Sequence, residues 1–194
     1  MEAIRIIQAE HLALAAVLHG MLHIVRAVRF DRNEPDFQVL NAMVAYIAEF
    51  PQQFHHPKEE KYLFSPLRER DPDSAPLLDR LVREHRIGSD KVTQLDDTLR
   101  RYQQEGQKHF AAFATAAASY AAFHWDHARA EEFEVMPLAE SFFTPDDWRR
   151  IDEAFLANAD PLSAEVGARC DALFRQIVTI VPPALGVGRR SGDD

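Results

Sequence analysis

The chain has 194 residues, of which 46% are hydrophobic and 27% charged, and its formal net charge is −9. This length predicts one domain with a short extension, and the composition is that of a globular chain, which excludes a disordered or fibrous protein. The negative charge, with no basic stripe, argues against a nucleic-acid partner because nothing in the chain would displace counterions from phosphate groups.

Apolar residues recur at three- and four-residue steps over the first 140 residues, which is the period of amphipathic helices. Breaks rich in proline, glycine and charge divide this stretch into four long predicted helices, at 2–28, 36–69, 75–104 and 107–140. The connections between them are short, so successive helices must run antiparallel. The sequence therefore predicts an all-α fold, an up-down-up-down four-helix bundle occupying residues 1–142.

Two shorter helices are predicted after the bundle, in an extension over 143–183. Thr144 is a suitable N-cap for the first of them, at 144–158. The second is predicted at about 163–181, ahead of a pair of prolines. We expect the remaining residues, 184–194, to form an unstructured tail.

Histidine and glutamate interrupt the apolar stripe of every long helix. The interruptions are His11, the pair His55 and Glu59, His85, and the pair His127 and Glu131. Residues four apart share one face of a helix, so each pair points at one place, and antiparallel packing brings all four helices to a common level. A surface ion pair at i,i+4 is the alternative for one pair alone, but both pairs lie on apolar stripes.

Ionised carboxylates buried in such a core would cost several kcal/mol each unless a cation lay among them. Imidazole and carboxylate are ligands of iron, manganese and zinc, and the absence of thiolates from the set favours iron or manganese. No Glu-x-x-His occurs in the chain, which argues against a ferritin-like carboxylate-bridged site.

Several short motifs together resemble one family. They are Ala9-Glu10-His11, the segment 55–64, Arg83-Glu84-His85, and the segment 127–132 followed by Pro137-Leu138-Ala139. On these motifs the chain resembles bacterial hemerythrin-like (HHE cation-binding) proteins over about residues 4–140. The resemblance implies a bundle that holds two iron ions in a non-heme diiron centre, in which Glu59 and Glu131 bridge the metals. The ligands that it implies are His11, His55, Glu59, His85, His127 and Glu131.

The chain departs from the family pattern at Ser89, where members have a second histidine on the third helix. One metal is therefore a ligand short unless His56, His124 or an exogenous group completes it. His56 lies about 100° around the helix from His55, on a polar side, so we expect it to be solvated or in an outer shell. Glu60 competes with Glu59 as the bridging carboxylate, since a proline inside the helix can rotate the residues after it.

Glu10, Glu84 and Glu132 each adjoin a candidate ligand in the sequence. We expect them on the surface, with a hydrogen bond to a ligand imidazole as the alternative.

The resemblance implies binding of O2, NO or a small anion at the metal, for sensing, storage or detoxification. A diiron enzyme of the peroxidase or ferroxidase type is a second hypothesis, because Ser89 leaves a metal position open. A third is a bundle with loosely bound metal that acts as an interaction or stress-response module. A sensor would need a further protein partner, and a homodimer is compatible with the sequence.

The single cysteine, Cys170, excludes a disulfide framework. We find no secretory signal and no apolar run of the length that a membrane span needs. We therefore expect a cytoplasmic protein with no membrane partner.

Overall fold

The computed structural model describes residues 1–30, 34–156, 172 and 175. Its five helices are α1 at Glu2–Phe30, α2 at 37–70, α3 at Ala75–Glu105, α4 at 110–142 and α5 at Pro145–Leu156. Short 3₁₀ turns at Pro72–Ser74 and Gln107–His109 precede α3 and α4. The described part of the chain contains no strand, which confirms the all-α prediction.

The first four helices form a closed bundle in which each contacts its two neighbours, α1 with α2, α2 with α3, α3 with α4 and α4 with α1. Their ends lie within three residues of the predicted bounds. The helix expected at 163–181 and the tail at 184–194 lie outside the described residues, apart from two positions in the former.

Two of the four helices contain π segments, in which the backbone hydrogen bond spans five residues rather than four. In α2 they are Phe50–His55 and Glu60–Phe64, separated by the short α-helical stretch His56–Glu59 and followed by Ser65–Arg70. In α4 the π segment Glu131–Val135 joins Phe110–Ala130 to Met136–Phe142.

Proline accounts for the position of these segments, because it cannot donate a backbone hydrogen bond inside a helix. Pro57 follows the first π segment of α2 by two residues, and Pro66 and Pro137 stand in the same relation to the other two. One extra residue per turn rotates all later side chains by about 100° relative to a regular α-helix. The faces of α2 and α4 therefore change direction where the polar residues lie.

Two apolar cores occupy the two ends of the bundle. The first core lies where α1 begins and includes Ile7, Leu63, Leu81 and Val135. The second core lies at the opposite end and is built on residues such as Leu14, Val17, Leu18, Phe50, Val92, Leu95, Phe113 and Ala121. On every helix the polar candidates fall between a residue of one core and a residue of the other. The fold therefore places a polar layer inside the bundle.

The first helix, α1, is long and apolar enough to cross a membrane, with a mean hydropathy of 1.5 over an 18-residue window. This corrects the expectation that no segment reaches that composition. Within that window 44% of the residues are buried inside the bundle, and Ile7, His11, Leu14 and Leu18 lie on the buried face. The packing of α1 into both cores thus accounts for much of its apolar character.

The last helix, α5, begins with a reciprocal capping arrangement. The Thr144 hydroxyl accepts a hydrogen bond from the Asp147 backbone N–H at 3.2 Å, and the Thr144 backbone N–H donates to Asp147 Oδ2 at 2.9 Å. The Thr144 hydroxyl also donates to Asp147 Oδ2 at 2.7 Å, and this bond, together with the backbone N–H bond to the same oxygen and the nearby Arg70, lowers the pKa of Asp147 to about 2. The predicted N-cap is confirmed, and α5 packs Trp148 and Phe155 into the first core.

Candidate metal centre

The polar layer consists of side chains that are almost completely removed from solvent. Glu59 and Glu131 are both 0% exposed. The four histidines that were predicted as ligands are at most 5% exposed; these are His11, His55, His85 and His127. All four helices of the bundle contribute to the layer. The predicted convergence on one level is therefore present in the structure.

The candidate ligand atoms fall into two clusters, within each of which all of them lie within 4.8 Å of one another. The carboxylate cluster consists of His11, His55, Glu59 and Glu131. The imidazole cluster consists of His56, His85 and His127.

Each buried glutamate turns one oxygen toward each cluster. Glu131 Oε2 lies 3.1 Å from His11 Nε2, while its Oε1 lies 3.1 Å from His127 Nε2 and 3.6 Å from His85 Nε2. Glu59 Oε1 lies 3.3 Å from His55 Nε2, and its Oε2 lies 3.8 Å from His85 Nε2. Two carboxylates directed in this way can bridge a pair of cations.

The inward atoms lack hydrogen-bond partners. All four carboxylate oxygens of Glu59 and Glu131 are buried without a hydrogen bond of acceptable geometry, as are Nε2 of His11, His85 and His127 and Nδ1 of His56. Buried polar atoms are normally paired, since an unpaired one keeps its full desolvation cost. Carboxylate oxygens and imidazole nitrogens are also the ligand atoms that iron accepts. The layer therefore fits a metal centre and could hold a cation.

On the outer side, each principal histidine donates from Nδ1 to a glutamate of the preceding helix around the bundle. The four bonds are His55 to Glu10 (2.7 Å), His85 to Glu60 (2.6 Å), His127 to Glu84 (2.9 Å) and His11 to Glu132 (2.9 Å). Because a carboxylate accepts, Nδ1 carries a proton, and Nε2, the nitrogen left for a metal, faces the layer. The four bonds form a closed ring that fixes these four imidazoles with Nε2 toward the layer.

The four outer glutamates share a position that can be recognised in the sequence. Each directly precedes or follows a candidate ligand of its own helix and holds the histidine of the next helix. For Glu10, Glu84 and Glu132 the structure shows the hydrogen-bonded arrangement rather than the surface one. Glu60 lies outside both clusters and is 41% exposed. The structure thus places Glu59, not Glu60, between the two clusters.

The two buried glutamates have opposite proton affinities. Burial and the neighbouring Glu131 carboxylate raise the pKa of Glu59 well above its usual range. Burial opposes ionisation of Glu131 too, but His127, His11 and His85 surround it and hold its pKa well below the usual range.

Among the surrounding histidines, His11 and His127 have their pKa values raised to about 9 despite burial, chiefly by Glu131. Without a cation the layer therefore balances its charge with protons on these two imidazoles. A metal ion would displace those protons, since a ligand must be deprotonated to bind.

His56 points into the polar layer, and the prediction that it is solvated or in an outer shell is wrong. Its ring stacks on that of His85 with centroids 3.8 Å apart, and its Nδ1 is buried. The prediction assumed a regular α-helix, whereas the π segment Phe50–His55 ends immediately before His56 and changes its direction.

The structure keeps His124 out of both clusters. Its ring centroid lies 6.2 Å from that of His11, and its Nε2 is buried with no hydrogen-bond partner. Burial and the nearby His11 and His127 lower the pKa of His124 to about 3, so the ring is neutral.

The third helix offers one inward imidazole only. Ser89 is half-buried and belongs to neither cluster, while the neighbouring Gly88 is buried. A Cβ at Gly88 would lie 3.1 Å from Cε1 of Phe123. Glycine therefore allows α3 to approach α4 closely beside the imidazole cluster.

A cavity of about 10 Å³ adjoins both clusters on the side of the second core. Its walls include Leu14, Tyr120, Phe123 and His124 as well as ligand candidates from both clusters. This volume corresponds to about one water molecule. Only a very small exogenous molecule would fit beside the layer without movement of the walls.

A comparison with protein families finds a match between residues 2–139 and the model described as the hemerythrin HHE cation-binding domain. Searches of curated proteins and of solved structures found no match. The matched segment includes every residue of both clusters and ends before α5. The match covers well over half of the chain, and the chain therefore belongs to the hemerythrin HHE cation-binding domain family.

Proposed function

We propose that the two clusters together hold two iron ions, as a non-heme diiron centre that binds O2 or NO. The observation that carries the proposal is the pair of fully buried glutamates with four unpaired oxygens, each glutamate directing one oxygen to each cluster. Protons on His11 and His127 can offset the charge of Glu131, but they leave the oxygens of Glu59 without partners, whereas two cations would be contacted by both glutamates.

In this proposal His11 and His55 would hold one iron and His56, His85 and His127 the other, while Glu59 and Glu131 would each offer one oxygen to either iron. The ring of outer glutamates would keep the Nε2 atoms of the four principal histidines facing inward before any metal arrives. Such preorganisation lowers the cost of ordering the ligands and raises affinity.

Iron in this centre would supply an exchangeable coordination position and redox electrons for a diatomic ligand. The protein contributes the cavity beside the imidazole cluster, whose apolar walls, Leu14 and Phe123, exclude bulk water. Besides Glu84 and the ligand histidines, the polar side chains of the wall are Tyr120 and His124. The Nε2 of His124 has no hydrogen-bond partner and can hydrogen-bond a small polar ligand. This favours O2, NO or a small anion over any larger molecule.

Anaerobic titration with ferrous iron, followed by metal analysis after desalting, tests this proposal. We expect two irons per chain and a change in the visible spectrum on exposure to O2 or NO. The double variant His55→Ala, Glu131→Ala should retain no iron, whereas Glu134→Gln, at a position that is 54% exposed, should retain both. Failure of the wild-type protein to retain iron would contradict the proposal, and retention of manganese or zinc instead would reassign the metal.

A peroxidase-type enzyme is the second candidate, favoured by the polar groups of the cavity wall next to a cluster in which Ser89 replaces the second third-helix histidine of the family. Sustained turnover of hydrogen peroxide with a reductant would separate it from a stoichiometric binder. The third hypothesis, a module with loosely bound metal, predicts a melting temperature that does not respond to iron or chelator.

A further inference from the structure

Lys58, on α2 next to the bridging Glu59, is a cation held in an apolar setting. Its side chain is only 14% exposed. The ammonium nitrogen lies 3.9 Å from the ring centroid of Phe54 and 5.2 Å from that of Phe155. Both distances are within the range of cation–π attraction. Two aromatic rings thus fix the position of the ammonium group.

This ammonium group is linked to the carboxylate cluster through Glu10. Lys58 Nζ donates to Glu10 Oε1 at 2.7 Å, and Glu10 Oε2 accepts from His55 Nδ1 at 2.7 Å. Glu10 is 12% exposed, and burial opposes its ionisation, but His55 and Lys58 keep its pKa below the ordinary value. Lys58, Glu10 and His55 therefore form a continuous chain of charged hydrogen bonds.

The other outer glutamates have more open surroundings. Glu60 and Glu132 are 41% and 29% exposed, and Glu84 pairs with Arg80, whose side chain is 43% exposed. Surface pairs of that kind contribute little and are screened by salt. Among the four ring positions in the described chain, the one that holds His55 is thus the most buried.

One of the two rings beside Lys58 comes from α5, which lies beyond the segment that matches the family. Phe155 is 4% exposed and belongs to the first core. The helix is held against the bundle by the bond from the Ala3 backbone N–H to Asp152 Oδ1 at 2.8 Å and by the ion pair of Arg70 with Asp147 at 2.8 Å. These contacts hold α5 against the bundle and so keep the Phe155 ring next to the Lys58 ammonium group.

We propose that Lys58 is a positioning residue of the metal centre and that α5, through Phe155, belongs functionally to that centre. Phe155 and Phe54 hold Lys58, Lys58 holds one oxygen of Glu10, and the other oxygen holds His55 with its Nε2 toward the carboxylate cluster. The part of the proposal that concerns metal rests on the proposed function, whereas the part that concerns the orientation of His55 does not.

Ferrous iron alone is the probe for the metal readout, in anaerobic competition with a chelator. Lys58→Met keeps the length of the side chain but removes its charge. We expect iron at the carboxylate cluster to bind at most about tenfold more weakly, the low end of the effect of losing an outer partner of a ligand, because Lys58 reaches His55 only through Glu10. Lys58→Arg should restore most of the affinity because it restores a cation. Phe155→Leu should weaken binding by about two- to fivefold, in proportion to a lost cation–π contact.

Phe143→Leu is the matched control. Phe143 is a buried aromatic residue of the same core, 8% exposed, and it packs against Trp148 rather than Lys58. The Phe143→Leu variant should have a lower melting temperature than wild type but the same iron affinity. An equal loss of affinity in Phe143→Leu and Phe155→Leu would overturn the role of α5, since it would reduce that role to general packing.

A metal-free readout separates the positioning role from the diiron function. In wild-type protein and in Lys58→Arg, the His55 Nδ1 proton should give a slowly exchanging downfield NMR resonance, which should be lost or broadened in Lys58→Met. If wild-type protein binds no iron but shows this pattern, the diiron function fails and the positioning role of Lys58 stands. If Lys58→Met keeps both the resonance and the wild-type iron affinity, the role of Lys58 is wrong.

Discussion

The carboxylate cluster and the imidazole cluster lie side by side in one layer, yet they are built differently. The carboxylate cluster has both fully buried glutamates as its own members and draws on α1, α2 and α4. The imidazole cluster has three histidines, one of them only half-buried, and all three line the cavity, whereas the carboxylate cluster contributes only His55 to its wall. Under the proposed function, this difference would let one bundle hold a metal firmly at one position and leave a second position accessible to a ligand.

Removal of a bridging carboxylate should have the greatest consequence, the loss of both metals. Burial and the Glu131 carboxylate raise the pKa of Glu59 and so favour its neutral form in the metal-free protein, and Glu59→Gln should therefore change metal-free stability little. Wild-type protein should gain about 2.7 kcal/mol when ferrous iron is present at a hundred times its dissociation constant, whereas Glu59→Gln should gain almost nothing. Denaturant unfolding with and without iron measures this.

Glu69→Gln, on the same helix at an exposed position, is the control and should behave as wild type. An iron-dependent gain in Glu59→Gln equal to that of wild type would contradict the bridging role of this residue.

The next largest effect is expected from a variant that removes a ligand from one cluster and leaves the other cluster intact. His56→Leu removes a ligand candidate from the imidazole cluster only, so the protein should retain about one iron per chain instead of two, counted by metal analysis after desalting. His23→Leu, at an exposed position of α1, should retain two. Two tightly bound irons in His56→Leu would show that His56 stacks on His85 without binding metal.

A more modest effect concerns the ligand that enters the cavity. His124→Leu should leave two irons bound, because His124 belongs to neither cluster, but azide affinity of the iron-loaded protein should fall by roughly tenfold through loss of one hydrogen bond. Optical titration with azide measures it. Loss of an iron instead would make His124 a ligand.

The weakest effect lies at α5. Thr144→Ala should cost about 1 kcal/mol through loss of the cap, measured by denaturant unfolding. Asp147 has a folded pKa of about 2 against an ordinary value of 3.8, so its contribution is complete above pH 3.8 and is lost as the pH falls toward 2. In Thr144→Ala that acid-dependent loss of stability should shrink.

The same variant also bears on the connection between α5 and the metal centre. If Thr144→Ala binds iron more weakly at the carboxylate cluster but not at the imidazole cluster, α5 influences the carboxylate cluster through Lys58.

The sequence was sufficient to predict the bundle and the convergence of its polar residues. Helical periodicity and short connections locate α1 to α4, and an interrupted apolar stripe at the same level on all four helices can only produce a shared polar layer. The prediction is simplest for α1 and α3, because each is a regular α-helix with one inward histidine.

Periodicity could not predict the direction of His56, because the rule of 3.6 residues per turn fails where α2 becomes a π-helix. Pro57 was a visible warning of irregular geometry, but its presence does not say which way the chain turns. The ring of outer glutamates was also beyond periodicity, since each bond joins two helices and depends on their relative rotation. Charged residues that adjoin ligands, such as Glu10 and Glu84, were the available signal.

Anomalous diffraction at the iron edge, from crystals of the iron-loaded protein, would show whether the polar layer holds a bridged pair of metals. We expect two peaks about 3.5–4 Å apart, one among the ligand atoms of the carboxylate cluster and one among those of the imidazole cluster, with Glu59 and Glu131 between them. A single peak, or peaks at the protein surface with both glutamates unbound, would rule out a diiron centre in this layer.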